Sequence, residues 1–132
     1  MSNELRFHHV GIASRRINDE VASLQTLGYR REGALFTDVG QGIRGQFMVG
    51  SGPRLEVLEP HEGSRTLEPW LSKGVKMYHQ AFRVDDLDRE LSRRKAGGAM
   101  VVVPARPAIA FGGRRIAFVM LPGMLLIELI EA

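Results

Sequence analysis

Four side chains of types that bind metal ions recur at matching places in the two halves of the chain. His9 and Glu56 lie 47 residues apart, and His79 and Glu128 lie 49 residues apart. Two imidazoles and two carboxylates suit a borderline divalent ion such as Zn, Ni, Co, Mn or Fe. The sequence therefore predicts that these four residues bind one divalent metal ion, whose identity it leaves open.

Glu128 is the strongest single indication of a metal site, because it interrupts an apolar segment that has the composition of a buried strand. A charged carboxylate is costly in such a place unless it is paired or coordinates a cation. Glu56 is similarly flanked by apolar residues. Taken singly, a strand His or Glu is more often hydrogen-bonded or solvent-facing than a ligand. The matched set of four favours the metal site. His8 should point to the opposite face of its strand from His9, and His61 is assigned no role.

Composition limits the remaining possibilities. The chain has 132 residues, 44% hydrophobic and 25% charged, which suits one well-filled core. The absence of cysteine excludes disulfides, thiolate catalysis, zinc–thiolate sites and iron–sulfur clusters. No apolar run approaches a membrane span and no signal-peptide pattern opens the chain, so we expect a cytoplasmic protein without membrane partners. The net charge of +3 is dispersed in basic pairs without interleaved aromatic residues, which argues against nucleic-acid binding.

The two halves resemble each other along most of their length. With His9 set against His79, similar residues align at an offset of 70 that drifts to 72: Ile12 with Phe82, Glu20 with Glu90, Gly28 with Gly98, Arg44 with Arg115, Phe47 with Phe118, and Glu56 with Glu128. A drift of two residues is what loop insertions produce. The sequence therefore predicts an internal duplication within a single domain, residues 1–132.

Local patterns predict a βαβββ order in each half. The first module covers about residues 6–60, a connector with a short helix covers 61–75, and the second module covers about 76–131. Asn18 or Asp19 is expected to cap the first helix and Asp85 or Asp86 the second. We therefore expect an α+β fold, in which two tandem βαβββ modules form a curved, cupped mixed β-sheet with the helices outside. The concave face of such a sheet needs a ligand.

The residues around these four positions resemble the vicinal oxygen chelate superfamily, which includes glyoxalase I, methylmalonyl-CoA epimerase, extradiol dioxygenases and bleomycin- or fosfomycin-resistance proteins. The resemblance covers about residues 7–131 and is carried by His9 to Ala13, Leu55 to Pro60, His79 to Leu87 and Leu126 to Leu129. The epimerase subgroup is the most similar, through the acidic run after His79, the Trp70-Leu71 helix and the stretch from Gly112 to Phe118.

The resemblance places His9, Glu56, His79 and Glu128 at the metal-ligand positions and implies a homodimer. The chemistry of such a site is removal of an α-proton next to a carbonyl, with the metal stabilising the enolate. Glu128 is the first candidate for the base and Glu56 the second. Returning the proton to the other face gives epimerisation, and returning it to the adjacent carbon gives isomerisation of the glyoxalase kind.

Two departures from the epimerase pattern leave the substrate open. The epimerases usually have Gln where this chain has Glu56, and a Glu there is more like glyoxalase I. Some epimerases also carry a carboxylate on the third strand, where Gly45 and Gln46 stand here. Gln46, Arg114 and Arg115 are the expected substrate contacts, because Arg114-Arg115 follows a Gly-Gly pair whose backbone allows close approach to an acidic ligand.

Several functions therefore stay open. We prefer a metal-dependent epimerase, isomerase or lyase that acts on a small carbonyl or thioester substrate, such as an acyl-CoA. The alternatives are a lactoylglutathione lyase like glyoxalase I and a non-catalytic ligand-binding protein of the resistance type. An extradiol dioxygenase would use two His and one carboxylate around iron, and the fourth ligand argues against it.

Overall fold

The computed structural model describes residues 5–132. Its elements follow one another in the order β1 (Arg6–Ala13), α1 (Ile17–Gln25), β2 (Arg30–Asp38), β3 (Ile43–Val49), β4 (Leu55–Pro60), α2 (Glu68–Leu71), β5 (Met77–Val84), α3 (Leu87–Ala96), β6 (Met100–Pro107), a 3₁₀ turn (Ile109–Phe111), β7 (Arg115–Met120) and β8 (Leu126–Glu131). The βαβββ order is present twice, with α2 between the copies. The predicted order of elements is confirmed.

The eight strands belong to one mixed sheet in the order β2-β3-β4-β1-β5-β8-β7-β6. β1 runs parallel to β4 and β5 parallel to β8, whereas the remaining pairs within each repeat are antiparallel. The α+β class and the mixed sheet are confirmed. Residues 9–78 form one compact unit, the first-repeat unit, and residues 5–8 with 79–132 form the other, the second-repeat unit.

In the first-repeat unit, α1 packs on one face of the strands. Its buried Ile17 and Val21 contact apolar side chains of β1, β3 and β4, which form a core of Ile12, Met48, Leu55 and Val57. Because side chains alternate along a strand, the residues between these core positions point to the opposite face. That second face carries His9 and Glu56, whose side chains are almost fully buried.

The second-repeat unit repeats this arrangement. Leu87 of α3 packs against a core built from β5, β7 and β8: Val84, Ala117, Val119, Ile127 and Leu129. The opposite face carries a separate apolar cluster of Ala81, Ala108, Ile116 and Ile130. His79 and Glu128 share that opposite face, since they alternate with the residues packed under α3.

The two long helices begin in different ways. Asp86 caps α3, where its carboxylate accepts a hydrogen bond from the Arg89 backbone N–H at 3.0 Å, and this predicted cap is confirmed. The predicted Asn18 or Asp19 cap of α1 is wrong, because the helix already begins at Ile17 and its N-cap residue makes no side-chain bond. Instead the carboxylate of Glu59 in β4 accepts the Ile17 N–H at 3.0 Å.

The edge strand β6 is longer than the sequence predicts. The local pattern predicts a strand near residues 99–103, and β6 extends beyond it to Pro107 and also includes Pro104. Proline cannot donate to a strand ladder, and β6 tolerates it because it is an edge strand. Within the connector, Leu67 is buried at the residue just before α2. No helix among residues 5–132 is long and apolar enough to cross a membrane.

Candidate metal centre

The first-repeat unit holds His9 and Glu56 as a buried pair. His9 lies on β1 and Glu56 on the adjacent parallel strand β4, where the register sets Gly11 beside Glu56. The His9 Nε2 atom lies 3.1 Å from Glu56 Oε1, and the two side chains are 0% and 6% exposed. An imidazole and a carboxylate so deeply buried are stable only with partners for their charge and lone pairs.

The second-repeat unit holds His79 and Glu128 in the same way. His79 lies on β5, and the register of β5 with β8 sets Ala81 beside Glu128. The His79 Nε2 atom lies 3.3 Å from Glu128 Oε1, with the side chains 0% and 4% exposed. Each repeat therefore offers one imidazole nitrogen and one carboxylate oxygen, from a first strand and a last strand, as the duplication predicts.

An aromatic ring packs against each histidine at equivalent positions. The edge-to-face contact of Phe47 with His9 has ring centroids 5.4 Å apart, and that of Phe118 with His79 has centroids 5.1 Å apart. Phe47 is paired in register with Glu56, and Phe118 with Glu128. Each ring thus contacts the imidazole of its own repeat in the same edge-to-face geometry. The repeat alignment of Phe47 with Phe118 was the sequence signal for this role.

The four predicted ligands come together. One ligand atom from each of His9, Glu56, His79 and Glu128 lies within 4.8 Å of the others, and this group could hold a metal ion. Two ligands held 2.1 Å from an ion at a right angle lie about 3.0 Å apart, and at the tetrahedral angle about 3.4 Å. The His–Glu separations of 3.1 and 3.3 Å match these values. The donor types and spacing therefore fit a divalent cation.

Gln46 lies on the other face of the first-repeat unit. It is paired in register with Val57, which belongs to the core under α1, whereas Phe47 is paired with Glu56. The buried Gln46 amide donates to three backbone carbonyls, those of Glu32, Gly33 and Phe47. It stabilises the irregular pairing of β2 with β3. This placement does not bring Gln46 to the His9–Glu56 pair and gives no support to a substrate contact.

Arg115 also lies away from the face that carries His79 and Glu128. Its neighbour Ile116 points to that face, so Arg115 points toward α3. Its guanidinium donates to Glu131 at 2.6 and 3.2 Å and to Asp88 at 3.1 and 3.2 Å. The hydrogen bond from Arg115 lowers the pKa of Glu131. The repeat-equivalent Arg44 likewise pairs with Glu59 at 3.4 Å. Both pairs tie strands to the start of a helix.

Arg114 is the remaining predicted substrate contact. It is exposed and lies between the Gly112-Gly113 turn and β7. It directly precedes β7, in which Ile116 and Phe118 lie on the face of Glu128. Of the two neighbouring arginines, Arg114 is therefore the one whose position is compatible with contact to a ligand at His79 and Glu128.

Gly45 is one of the two residues, with Gln46, that stand near the place where the resemblance to epimerases leads one to expect a third-strand carboxylate. It lies on the face of Glu56, because it is paired in register with Leu58. A Cβ atom at Gly45 would lie 2.2 Å from the ring of Phe36, so the aromatic ring already fills that space. The first-repeat unit therefore has no carboxylate at this position, and Glu56 lies on the same face, two residues from Leu58, the register partner of Gly45.

The chain is similar to known proteins over almost its whole length. The sequence pattern of the Glyoxalase/Bleomycin resistance protein/Dioxygenase superfamily matches residues 8–118. The structure of methylmalonyl-CoA epimerase from Mycobacterium tuberculosis is 28% identical, with a TM-score of 0.79, over 99% of this chain and 91% of that one. No curated protein matches this chain.

Two further structures extend the comparison. A Streptomyces coelicolor methylmalonyl-CoA epimerase variant in complex with 2-nitronate-propionyl-CoA is 26% identical, with a TM-score of 0.78, and the match covers 98% of this chain and 99% of that one. A hypothetical protein from Bacillus halodurans C-125 is 23% identical, with a TM-score of 0.81 over 98% and 95% of the two chains, and shows the shared fold alone. On its fold, its duplicated His–Glu pairs and the match over residues 8–118, the chain belongs to the Glyoxalase/Bleomycin resistance protein/Dioxygenase superfamily.

Proposed function

We propose that this protein is a divalent-metal-dependent epimerase or isomerase that acts through an enolate at the α-carbon of a carbonyl or thioester substrate. The observation that carries the proposal is the pair of buried His–Glu couples at repeat-equivalent positions, with separations of 3.1 and 3.3 Å. The comparison with methylmalonyl-CoA epimerases supports the same class of reaction.

His9, Glu56, His79 and Glu128 would hold the metal ion. When bound, the ion supplies Lewis-acid stabilisation of the negative charge that develops on a carbonyl oxygen. The surrounding protein prepares that environment, because Phe47 and Phe118 pack on the imidazoles and all four side chains are buried. Low exposure strengthens every charge interaction at the reacting atoms.

Proton transfer falls to the carboxylates. Epimerisation needs one group to remove the α-proton and another to return a proton to the opposite face. Gly45 provides no carboxylate and the ring of Phe36 fills its space. We assign removal of the α-proton to Glu128 and return of a proton to Glu56, the carboxylates of the two His–Glu pairs.

An acyl-CoA thioester is the substrate class that the relatives favour. A methylmalonyl-CoA epimerase related to this chain is known in complex with 2-nitronate-propionyl-CoA. Arg114, exposed beside a Gly-Gly turn, is the residue we assign to an acidic part of such a substrate. The turn has two glycines with φ of +64° and +87°, so no side chain obstructs approach to the backbone there.

The proposal is tested by metal analysis and isotope exchange. The purified protein should contain about one divalent ion per chain, and it should exchange the α-proton of methylmalonyl-CoA for deuterium in D₂O. His79→Ala should lose the metal and the exchange while keeping its circular dichroism spectrum. His61→Ala is the matched control, because His61 lies in a loop outside the cluster, and it should retain both properties.

Two results would contradict the proposal at different levels. Unchanged metal content in His79→Ala would remove the metal site. Bound metal without α-proton exchange on methylmalonyl-CoA would remove the epimerase assignment and leave the metal site standing.

A glyoxalase-type lyase is the second candidate, and specific residues favour it. Glu stands at position 56 where the epimerase pattern has Gln, and Gly45 replaces the third-strand carboxylate. In this reaction one carboxylate moves a proton between adjacent carbons of the hemithioacetal formed from methylglyoxal and glutathione. Thioester formation from that hemithioacetal, with no exchange on methylmalonyl-CoA, would select this reaction over the first.

A further inference from the structure

Two arginines of the second-repeat unit stand out from the others. Arg83 lies on β5 and Arg106 on β6, and the Nε atom of each is buried without a hydrogen-bond partner. Neither guanidinium forms an ion pair within residues 5–132. Both side chains are only partly exposed.

The strand registers place both arginines on the face that carries His79 and Glu128. Arg83 is paired with Ile130, and Arg106 is paired with Ile116. Ile116 and Ile130 are themselves paired and belong to the cluster opposite α3. The four residues thus form one row across the unit, with an arginine at each end and two isoleucines between them.

Other arginines of the second-repeat unit have acidic partners. Arg94 is matched by Glu90 at 2.7 Å, and Arg115 by Glu131 and Asp88. A partly buried guanidinium whose buried nitrogen lacks an acceptor loses hydration without compensation. An anion bound between the two guanidinium groups would compensate the loss of hydration of both.

The spacing allows both arginines to reach one group. Neighbouring strands lie about 4.8 Å apart, so β5 and β6 are separated by roughly 14 Å across β8 and β7. Each side chain needs to cover roughly half of that distance over the intervening isoleucines. Along β8, Ile130 lies two residues from Glu128, which corresponds to about 7 Å.

We propose that Arg83 and Arg106 form a subsite for an oxyanion, a carboxylate or phosphate, of the molecule bound at this face. Arginine suits this role because its planar fork donates paired hydrogen bonds to carboxylate or phosphate oxygens. The subsite deepens the proposed function, since it selects substrates with an anionic group several bonds from the carbon that reacts near Glu128. Anion binding itself does not depend on the metal or on turnover.

Titration calorimetry with inorganic phosphate and with malonate tests the subsite directly. At least one probe should bind the wild-type protein, and the stronger one identifies phosphate or carboxylate as the preferred group. Arg83→Gln and Arg106→Gln should each weaken that binding by at least about tenfold. Arg89→Gln, on the exposed surface of α3, is the matched control and should bind as the wild type does.

His79→Ala separates this proposal from the metal-dependent function. Anion binding that persists in His79→Ala supports the subsite even if the protein has no epimerase activity. Binding that is lost in this folded variant would show that the anion binds through the metal cluster and would overturn the subsite.

Stability gives an independent readout. In anion-free buffer, Arg83→Gln should unfold at the same temperature as the wild type or higher, because it removes an uncompensated charge. Added probe anion should raise the unfolding temperature of the wild type more than that of the variant. Arg83→Lys keeps the charge and should retain binding within a few-fold. Absence of binding of both probes, or unchanged affinity in either Gln variant, would overturn the proposal.

Discussion

At the scale of single residues, a buried imidazole partner distinguishes the carboxylates of the site. Asp38 and Glu90 are buried as well, at 5% exposure each, so burial alone does not mark the site. Glu56 and Glu128 are 4% and 3% exposed as whole residues. Each carboxylate meets an imidazole across 3.1 to 3.3 Å. The sequence ranks Glu128 before Glu56 as the base, and a conservative substitution at each position tests this order.

Glu56→Gln and Glu128→Gln should have different effects on catalysis. Glutamine keeps an oxygen that can coordinate the metal, and it is the residue that the epimerase pattern has at position 56. We expect Glu56→Gln to retain metal and to slow α-proton exchange by less than about tenfold. Glu128→Gln should slow exchange by about 10² to 10⁴, the usual contribution of a general base. Deuterium exchange measured with parallel metal analysis checks both.

Equal losses in the two variants would contradict this division of roles. The result would then favour two equivalent bases, one from each repeat. Glu62→Gln, at an exposed loop position, is the control for a change of charge and should leave the exchange rate unaltered.

At the scale of the elements, the helices are fixed by side chains from different parts of the chain. α3 carries its own cap, Asp86, whereas α1 receives its capping carboxylate from Glu59 on β4, which is 42 residues away from Ile17. Ion pairs at repeat-equivalent positions, Arg44 with Glu59 and Arg115 with Glu131, hold the strand ends beside the helix starts. The strands that carry the ligands are thereby positioned against the helices.

Removal of the caps should show this difference. Asp86→Ala and Glu59→Ala should each destabilise the protein by about 1 kcal/mol, because each leaves a helix N–H without its acceptor. Asn18→Ala and Asp19→Ala should change stability by less than about 0.5 kcal/mol. Urea denaturation measures all four. A full capping loss in Asn18→Ala, with none in Glu59→Ala, would contradict the long-range cap.

The Arg115–Glu131 pair predicts a pH dependence of stability. Its hydrogen bond lowers the pKa of Glu131 in the folded protein below the ordinary value of 4.5. The stabilisation is therefore complete above pH 4.5 and is lost as the pH falls through the lowered pKa. Glu131→Gln should unfold a few degrees below the wild type at pH 7, and the difference should shrink under acidic conditions. Both side chains are about one-third exposed, which keeps the effect small.

Thermal unfolding of the wild type and Glu131→Gln between pH 7 and pH 3 checks this dependence. A constant difference across that range would show that Glu131 contributes through packing and not through its charge. Glu62→Gln is the control, and at pH 7 it should unfold at the same temperature as the wild type.

At the scale of the whole molecule, the proposed metal binding would be linked to folding. The candidate ligands belong to strands near the start and the end of each repeat, so the group of four exists only in the folded chain. An ion that binds the folded chain alone stabilises it by an amount that grows with the logarithm of its concentration. Burial of four ionisable side chains is costly without such an ion.

Chelation should therefore lower the unfolding temperature. At a metal concentration 100 times the dissociation constant, the stabilisation is about 2.7 kcal/mol, and removal of the ion with EDTA should abolish it. Differential scanning calorimetry of the metal-loaded and EDTA-treated protein measures the shift. His79→Ala should be insensitive to added metal, and an equal metal response in that variant would contradict the assigned site.

The sequence by itself determined the repeated βαβββ order, the α+β class and the four candidate ligands. Periodicity, glycine stops and the offset of 70 to 72 residues are local or repeated signals, and both copies report the same pattern. The Asp86 cap could also be predicted, because its partner is three residues away.

Only the tertiary structure decided which polar residues share a face with the candidate ligands. Gln46 and Arg115 looked like substrate contacts in the sequence, but a shift of one residue along a strand reverses the face. Their amide and guanidinium are engaged by the β2–β3 irregularity and by Glu131 and Asp88. Arg83 and Arg106 could not be recognised as a pair from the sequence. Their buried nitrogens and the face that they share depend on strand register and burial.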